Sequence, residues 1–224
     1  MAFYSQAGED KFLIENFLSR PGIPKYYIEL GALDGIRYSN TKALEDEYGW
    51  SGILIEPVPS AFKSLKLNRP RNVLVNSLVG SEGEKVEFRF FSNPDLQAVS
   101  AIKNTQKDHH RLEWMNPDTA SSQWLAGQIN SDLQETSVFT QSLGSIVRRS
   151  QIPSFGFLSL DVEGHELEVL KSYDWEVPIS YILVEGSKEG DKEVFDYIIS
   201  KGGRFECHVA HNMLFSFLNS GDQG

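Results

Sequence analysis

Cysteine is nearly missing from this sequence of 224 residues, in which Cys207 is the single thiol. One thiol excludes an internal disulfide and a zinc site built from several cysteines. Positive charge is also scarce: 21 lysines and arginines stand against 31 aspartates and glutamates, a formal net charge of −10. A chain this acidic, with no basic run, is poorly suited to nucleic acid or to an anionic membrane surface. We therefore expect neither as a partner.

Long hydrophobic runs are missing as well. No apolar stretch approaches the roughly 20 residues that a membrane-spanning helix needs. The first residues, MAFYSQAGEDKFLIENFL, lack the cationic start and continuous apolar stretch of a signal peptide. With one cysteine and neither of these segments, we predict a protein of the reducing cytoplasm. The length and the 40% hydrophobic content favour one domain with a sizeable core.

A strand, a turn and a helix are predicted in succession between residues 26 and 48. The apolar and aromatic residues 26–28 indicate a buried strand, and residues 39–41 are three good helix-capping residues. The turn between them contains only Gly31 and Gly35, which lack the closer spacing of a dinucleotide-binding GxGxxG motif. An NAD-dependent enzyme is therefore disfavoured. Ligands of open α/β sheets bind at this end of the strands.

Two carboxylates, Glu29 and Asp34, flank this turn. They would repel a pyrophosphate but attract a ligand that carries an ammonium and a sulfonium. S-adenosylmethionine carries both groups. The alternative is that both carboxylates only cap the turn, and these two residues alone do not decide between the two interpretations.

The next predicted strand, residues 52–55, ends in Glu56-Pro57. Glu56 follows the turn by about 20 residues, the distance at which an acidic side chain binds the ribose hydroxyls of a nucleoside. One carboxylate can accept hydrogen bonds from both hydroxyls. The turn and Glu56 together are stronger evidence for a nucleoside cofactor than either alone.

The remaining chain continues to alternate strands with helices, which predicts a mainly parallel sheet with helices on both faces. We expect one domain over residues 1–224. It begins with a helical segment at 1–22, in which the polar SQAGED stretch either caps the helix or folds over the ligand cleft. Residues 92–135 are polar and irregular, and they are predicted to form an insertion or lid that carries no core strand.

Acidic residues follow or end four of the predicted parallel strands. They are Glu29, Glu56, Asp161 and Glu185. Because the carboxyl ends of parallel strands share one edge of the sheet, we expect these four to lie together. Acids placed so closely repel one another unless a cation or hydrogen-bond donors compensate, so this edge is the predicted site.

Five segments resemble the FkbM family of class I S-adenosylmethionine-dependent methyltransferases. They are YSQAGED, YYIELGALDG, SNTKALE, GILIEPVPSAF and FLSLDVEGHELEVL. The resemblance implies a Rossmann-like sheet of seven strands with an antiparallel last strand. It also implies methyl transfer to oxygen, with a sugar, glycan or polyketide hydroxyl as the acceptor.

The family pattern assigns Glu29, Gly31 and Asp34 to the cofactor turn, Glu56 to the ribose, and Asp161, Glu163 and Gly164 to the motif after residues 155–160. Strand ends and resemblance together predict the cofactor site. Its residues are Gln6, Glu29, Gly31, Ala32, Asp34, Gly35, Asn40, Glu56, Pro57, Ser77, Leu78, Asp161 and Val162. Asp161, Glu163 and His165 are the predicted catalytic residues.

Proton removal from a hydroxyl can follow two routes. His165 has a pKa range suited to a general base near neutral pH, unless it lies on the outer face of its helix. Alternatively, Asp161 and Glu185 hold a Mg²⁺ or Mn²⁺ ion that lowers the pKa of the acceptor. We favour the metal-free route because two acids are a small ligand set for a hard ion.

Two functions of different classes are compatible with this pattern. The first is an O-methyltransferase acting on a hydroxyl of a sugar, glycan or related natural product. The second is a non-catalytic S-adenosylmethionine-binding or regulatory protein on the same fold. Cofactor binding is common to both, so only a methyl-transfer assay separates them.

Overall fold

A computed structural model describes residues 2–94, 96–102, 132–186 and 189–218. Seven of its strands form one sheet. These are β1 (Tyr26–Leu30), β2 (Ser51–Ile55), β3 (Val73–Val75), β7 (Phe155–Leu160), β8 (Ile179–Glu185), β9 (Arg204–Val209) and β10 (Asn212–Ser216). A smaller sheet contains β4 (Lys85–Phe91), β5 (Ala101–Ile102) and β6 (Leu133–Phe139).

Six α-helices accompany the strands in the described part of the chain. They are α1 (Glu9–Leu13), α2 (Lys42–Tyr48), α3 (Pro59–Asn68), α4 (Leu143–Ser150), α5 (Glu166–Lys171) and α6 (Lys192–Ser200). Helix α1 continues as a π-helical turn over Ile14–Leu18. The helix and this turn together form the helical segment predicted near the N-terminus. Among the described residues, no helix has both the length and the apolar character needed to cross a membrane.

The large sheet has the strand order β3-β2-β1-β7-β8-β10-β9. Strands β3 to β8 in this order are parallel, while β10 is antiparallel to both of its neighbours. The predicted fold class is therefore confirmed: an α/β, Rossmann-like, seven-stranded sheet, mainly parallel, with an antiparallel last strand. The order reverses between β1 and β7, and such a reversal is where open α/β sheets bind their ligands.

Both faces of the large sheet are buried, as a parallel sheet covered by helices requires. Neighbouring residues of a strand point to opposite faces. Ile28, Leu158 and Ile182 pair across β1, β7 and β8 in one core cluster. Tyr27, Phe157 and Tyr181 pair one residue earlier and belong to the second cluster.

The small sheet, β5-β4-β6, is the main feature that the sequence analysis missed. In the sequence, Val86, Phe88 and Phe90 alternate with polar residues, which indicates the strand β4, and residues 137–140 are strand-like and overlap the end of β6. Strand β5 and the pairing of the three strands were not predicted. Phe88 and Phe90 pack against Val58 and Ala61, which attaches this sheet to the start of α3. Strand β5 and the first residues of β6 fall within the predicted insertion at 92–135. Residues 103–131, the centre of that insertion, lie outside the described residues.

Candidate active site

A cavity of about 340 Å³ opens at the carboxyl ends of β1, β2 and β7. Its wall also includes the loop after β3 and part of the small sheet. Most of the residues predicted for the cofactor lie in this wall. They are Gln6, Glu29, Gly31, Asn40, Glu56, Pro57, Ser77, Leu78, Asp161 and Val162. The three predicted catalytic residues, Asp161, Glu163 and His165, line it too.

Gly31 lets the backbone of the turn pass close to its neighbours. Its φ is +75°, in the left-handed region that favours glycine. A Cβ atom at this position would overlap the backbone carbonyl oxygen of Asp161. The amides of Gly31 and Ala32 both donate to the carbonyl oxygen of Ile55, at 3.1 Å. The turn is therefore held between the ends of β2 and β7.

Glu29 is 3% exposed and connects β1 to the start of α2. Its carboxylate accepts from Ser39 Oγ at 2.9 Å, from the Asn40 amide at 2.8 Å and from Thr41 Oγ1 at 2.6 Å. These contacts are those of a residue that caps the turn, as the second interpretation of Glu29 in the sequence analysis has it. Because Glu29 also lines the cavity, the same contacts fix where its negative charge faces the ligand space.

Three of the residues predicted to bind the cofactor, Ala32, Asp34 and Gly35, lie outside the cavity wall. Asp34 Oδ1 accepts from the amides of Ile36 and Arg37, both at 2.9 Å, so its carboxylate closes a local turn. Ala32 is 2% exposed and packs in the second core cluster. Gly35 lies against the side chain of Arg69. All three shape the turn rather than face the cavity.

Glu56 is a buried acid in the wall of the cavity, 2% exposed. Its Oε2 accepts from the Leu33 amide at 2.8 Å, and its Oε1 accepts from the Val58 amide at 2.7 Å. Burial raises the pKa of this carboxyl to about 7, against the opposing effect of the two hydrogen bonds. Each carboxylate oxygen can accept more than one hydrogen bond, so both oxygens keep capacity for a ribose hydroxyl.

Asn40 presents a buried polar atom without a partner. Its Nδ2 donates to Ser159 Oγ at 3.0 Å. Its Oδ1 is buried and, within the described part of the chain, has no hydrogen-bond partner. Such an orphaned acceptor costs roughly 1–3 kcal/mol. Since Asn40 lines the cavity, a donor on a bound ligand would offset this cost.

The loop after β7 carries the predicted catalytic residues. Glu163 and Gly164 both have left-handed backbones, with φ of 59° and 91°. Such a conformation is uncommon for a residue other than glycine and often occurs at functional sites. His165 is half-buried next to Gly80 and lines the cavity, so it does not lie on the outer face of α5. Burial lowers the pKa of its imidazole, which favours the neutral form at pH 7.

A family model described as the methyltransferase FkbM domain matches residues 29–212, most of the chain. This chain belongs to the FkbM methyltransferase family. Family membership makes methyl transfer from S-adenosylmethionine its general activity. The match begins at Glu29 and ends at Asn212, and it includes every segment of the cavity wall except Gln6.

Solved structures of other methyltransferases are similar to this FkbM domain at low identity. The METTL16 MTase domain aligns with a TM-score of 0.47 and 11% identity, over 93% of this chain and 66% of its own. The N-terminal domain of human METTL16 in complex with SAH aligns with a TM-score of 0.46 and 13% identity, over 93% of this chain and 69% of its own. The human methyltransferase 10 domain containing protein aligns with a TM-score of 0.43 and 12% identity, over 95% of this chain and 83% of its own. No curated protein matches the sequence.

In the structure, a third acidic residue lies beside Asp161 and Glu185, the pair considered above as ligands of a metal ion. Oxygens of Asp161, Glu166 and Glu185 lie within 4.8 Å of one another. Glu166, which the sequence analysis did not consider, already accepts from the amides of Gly164 at 3.0 Å and Val162 at 3.3 Å through Oε1. Glu185 lies outside the cavity wall, because β8 is one strand farther from β1 than β7 is.

Part of the wall was missed by the sequence analysis. It comes from β4, β5 and the short 3₁₀ turn Gln97–Val99 between them. The residues are Phe88, Gln97, Ala98, Ser100 and Ile102, with Tyr38 from the cofactor turn. Apolar Val86, Phe88 and Phe90 alternate with charged Glu87 and Arg89 in the sequence, which indicates a half-buried strand, but nothing in the sequence places that strand beside the cavity.

Proposed function

We propose that this FkbM domain transfers a methyl group from S-adenosylmethionine to a hydroxyl oxygen of a sugar, glycan or related natural product. The charge of the cavity supports this proposal best. Among the described residues of its wall, Glu29, Glu56, Asp161 and Glu163 are acids and none is lysine or arginine. Such a wall attracts a ligand with an ammonium and a sulfonium, and it repels a pyrophosphate.

Two buried groups fit different parts of the cofactor. Glu56 lies at the end of β2, where a carboxylate binds ribose hydroxyls in sheets of this architecture. Asn40 Oδ1 is a buried acceptor in need of a donor, and the ammonium of the cofactor is such a donor. Glu29, held beside Asn40 by the Asn40 amide, adds negative charge at the same end. Ser77 and Leu78 line the remaining nucleoside side.

S-adenosylmethionine, when bound, supplies the electrophilic methyl group, and the acceptor oxygen must lose its proton. His165 is half-buried in the wall and its pKa is lowered. A neutral imidazole can take that proton, and a positioned general base is worth about 10²–10⁴-fold in rate. Asp161 and Glu163 lie in the same loop, and their carboxylates can orient an acceptor by taking hydrogen bonds from its hydroxyls.

The class of acceptor follows from the same charges. Acidic groups accept hydrogen bonds from the many hydroxyls of a sugar, but they repel the phosphates of nucleic acids and of anionic membranes. We therefore propose a small-molecule or glycan acceptor and neither of those two partners. The wall that the small sheet contributes, with Gln97, Ser100 and Ile102, is where we place acceptor recognition.

We propose that His165, rather than a metal ion, accounts for removal of the proton from the acceptor. In the acidic cluster, one oxygen of Glu166 is already engaged by two backbone amides. A hard divalent ion prefers six or more oxygen ligands. A chelator added during turnover separates the two routes, since activity that persists in EDTA excludes an essential Mg²⁺ or Mn²⁺.

A labelled-methyl assay tests the proposal. Sugars, glycans and polyketides with free hydroxyls are offered beside matched amines, and the methylated atom is located by mass spectrometry. His165→Asn should lower turnover by about 10²–10⁴-fold, whereas the control His208→Asn, on an exposed residue of β9, should not. Transfer to nitrogen would contradict O-methylation. Cofactor binding without transfer to any acceptor would favour the non-catalytic alternative.

A further inference from the structure

Arg69 is the largest fully buried side chain in the described structure, with 0% exposure, and it lies directly after α3. All five N–H groups of its guanidinium have an acceptor. Nε donates to Glu45 of α2, Nη1 to the Gly35 carbonyl oxygen at 2.8 Å and Ser39 Oγ at 3.3 Å, and Nη2 to Tyr27 Oη at 2.7 Å and Thr41 Oγ1 at 3.1 Å.

Three of these acceptors, Gly35, Ser39 and Thr41, belong to the segment 35–41, which contributes Tyr38 and Asn40 to the wall of the cofactor cavity. Ser39 and Thr41 are the two hydroxyls that hold the Glu29 carboxylate. Asn40, whose Oδ1 lacks a partner, stands between them. Arg69 therefore contacts both neighbours of Asn40 and, through them, the carboxylate of Glu29, whose Oε2 lies 4.0 Å from Nη1.

We infer that Arg69 is a positioning residue for the cofactor: it fixes the segment 35–41 so that Glu29 and Asn40 face the cavity. The inference rests on the proposed function, because it assigns Glu29 and Asn40 to the amino-acid end of S-adenosylmethionine. Arg69 itself does not line the cavity. Glu56, at the ribose end, is held instead by the amides of Leu33 and Val58.

A lysine cannot perform the same task. An ammonium has three donors on one atom, whereas the planar guanidinium spreads five donors over three nitrogens. Gly35 is matched to this side chain as well. Its φ is +80°, and a Cβ there would lie 2.6 Å from Cγ of Arg69.

Arg71 provides a matched control two residues away. Its Nη2 lies 3.4 Å from Oε1 of Glu45, the acid that Arg69 also contacts, but its side chain is 73% exposed. Replacing Arg71 by lysine alters a charge pair on the same acid without touching segment 35–41. Exposed pairs of this kind contribute little.

The test compares two ligands at 10 °C by calorimetry. S-adenosylhomocysteine has the amino-acid end, whereas 5′-methylthioadenosine lacks it and keeps the ribose and adenine. In Arg69→Lys we expect the Kd of S-adenosylhomocysteine to rise at least tenfold and that of 5′-methylthioadenosine less than threefold. In Arg71→Lys both should stay within twofold of wild type. A purely structural role would lower the melting temperature and leave the ratio of the two Kd values unchanged.

Thr41→Val is the second variant, in case Arg69→Lys does not fold. It removes one hydroxyl between Arg69 and Glu29 at nearly constant volume, and it should weaken S-adenosylhomocysteine selectively by a smaller factor. Equal losses for both ligands, or no loss, would overturn the inference. Wild-type protein that binds neither ligand would overturn the proposed function as well, whereas selective weakening without any methyl transfer would leave the inference supported and the proposed function refuted.

Discussion

Glu56 should make cofactor affinity depend on pH, because its carboxyl is buried and titrates near neutrality. Burial raises the pKa of Glu56 to about 7 from an ordinary value of 4.5. Ribose hydroxyls donate to the ionised carboxylate, so the cofactor binds this form and a protonated site must first release its proton. The affinity should therefore rise with pH until about pH 7 and then level off.

The magnitude follows from the position of this pKa. If only the ionised form binds, the Kd changes tenfold per pH unit below pH 7, so it should be about 30-fold higher at pH 5.5 than at pH 8. S-adenosylhomocysteine is the suitable ligand because it is not turned over. Titration calorimetry in two buffers with different ionisation heats would also count the proton released on binding.

The same pKa predicts the opposite trend for the free protein. The folded state holds the proton more tightly than the unfolded state, so this contribution to stability is complete below pH 4.5 and is lost as the pH rises through about 7. The loss amounts to about 3 kcal/mol of unfolding free energy, measurable by urea denaturation. Glu56→Gln should remove both trends. A wild-type Kd that is flat between pH 5.5 and pH 8, or a variant that keeps the slope, would refute this reasoning.

Further predictions concern the turn and the loop after β7. Gly31→Ala should abolish binding of S-adenosylhomocysteine, because the new Cβ meets the carbonyl oxygen of Asp161. The control Gly83→Ala has a similar φ of 72° but nothing within 4 Å of the new Cβ. It should cost only about 1 kcal/mol of stability and leave binding intact. Equal losses of binding in the two variants would contradict the close approach of Gly31 to Asp161. Asp161→Asn should reduce kcat by orders of magnitude with little change in urea stability, since Asp161 is exposed; full activity would remove this strand end from the reaction centre. EDTA should leave turnover unchanged, and restoration by Mg²⁺ after a loss would contradict proton removal by His165.

The strand ends could be predicted from the sequence because their geometry is general. Parallel strands of one sheet share an edge, so acids that end or follow them come together wherever the strands are identified correctly. This logic placed Glu29, Glu56 and Asp161 at the cavity. Glu185 lies at the same edge, with an oxygen within 4.8 Å of Asp161, but outside the cavity wall, because an edge runs across all the strands while a cavity forms only at the reversal of their order.

Other features depended on contacts between distant segments. Arginine is almost never fully buried unless it is paired, and the partners that bury Arg69 come from β1, the cofactor turn and α2. The two residues of β5 carry too little sequence pattern to be recognised as a strand. Asp34 illustrates a local competition, because a short acidic side chain hydrogen-bonds readily to amides two or three residues ahead.

The small sheet gives this fold an exchangeable segment. The chain leaves it at Ile102 and re-enters at Leu133, on the two strands that flank β4. Ile102 pairs with Phe88 and Leu133 with Phe91, so the two ends lie two strand spacings apart across the sheet and three residues apart along β4, roughly 14 Å in all. Phe88 and Phe90 pack β4 against Val58 and Ala61 at the start of α3, contacts that do not involve the joining segment. We predict that segments of other FkbM proteins, grafted between these two points, change the choice of acceptor and leave the Kd of S-adenosylhomocysteine unchanged.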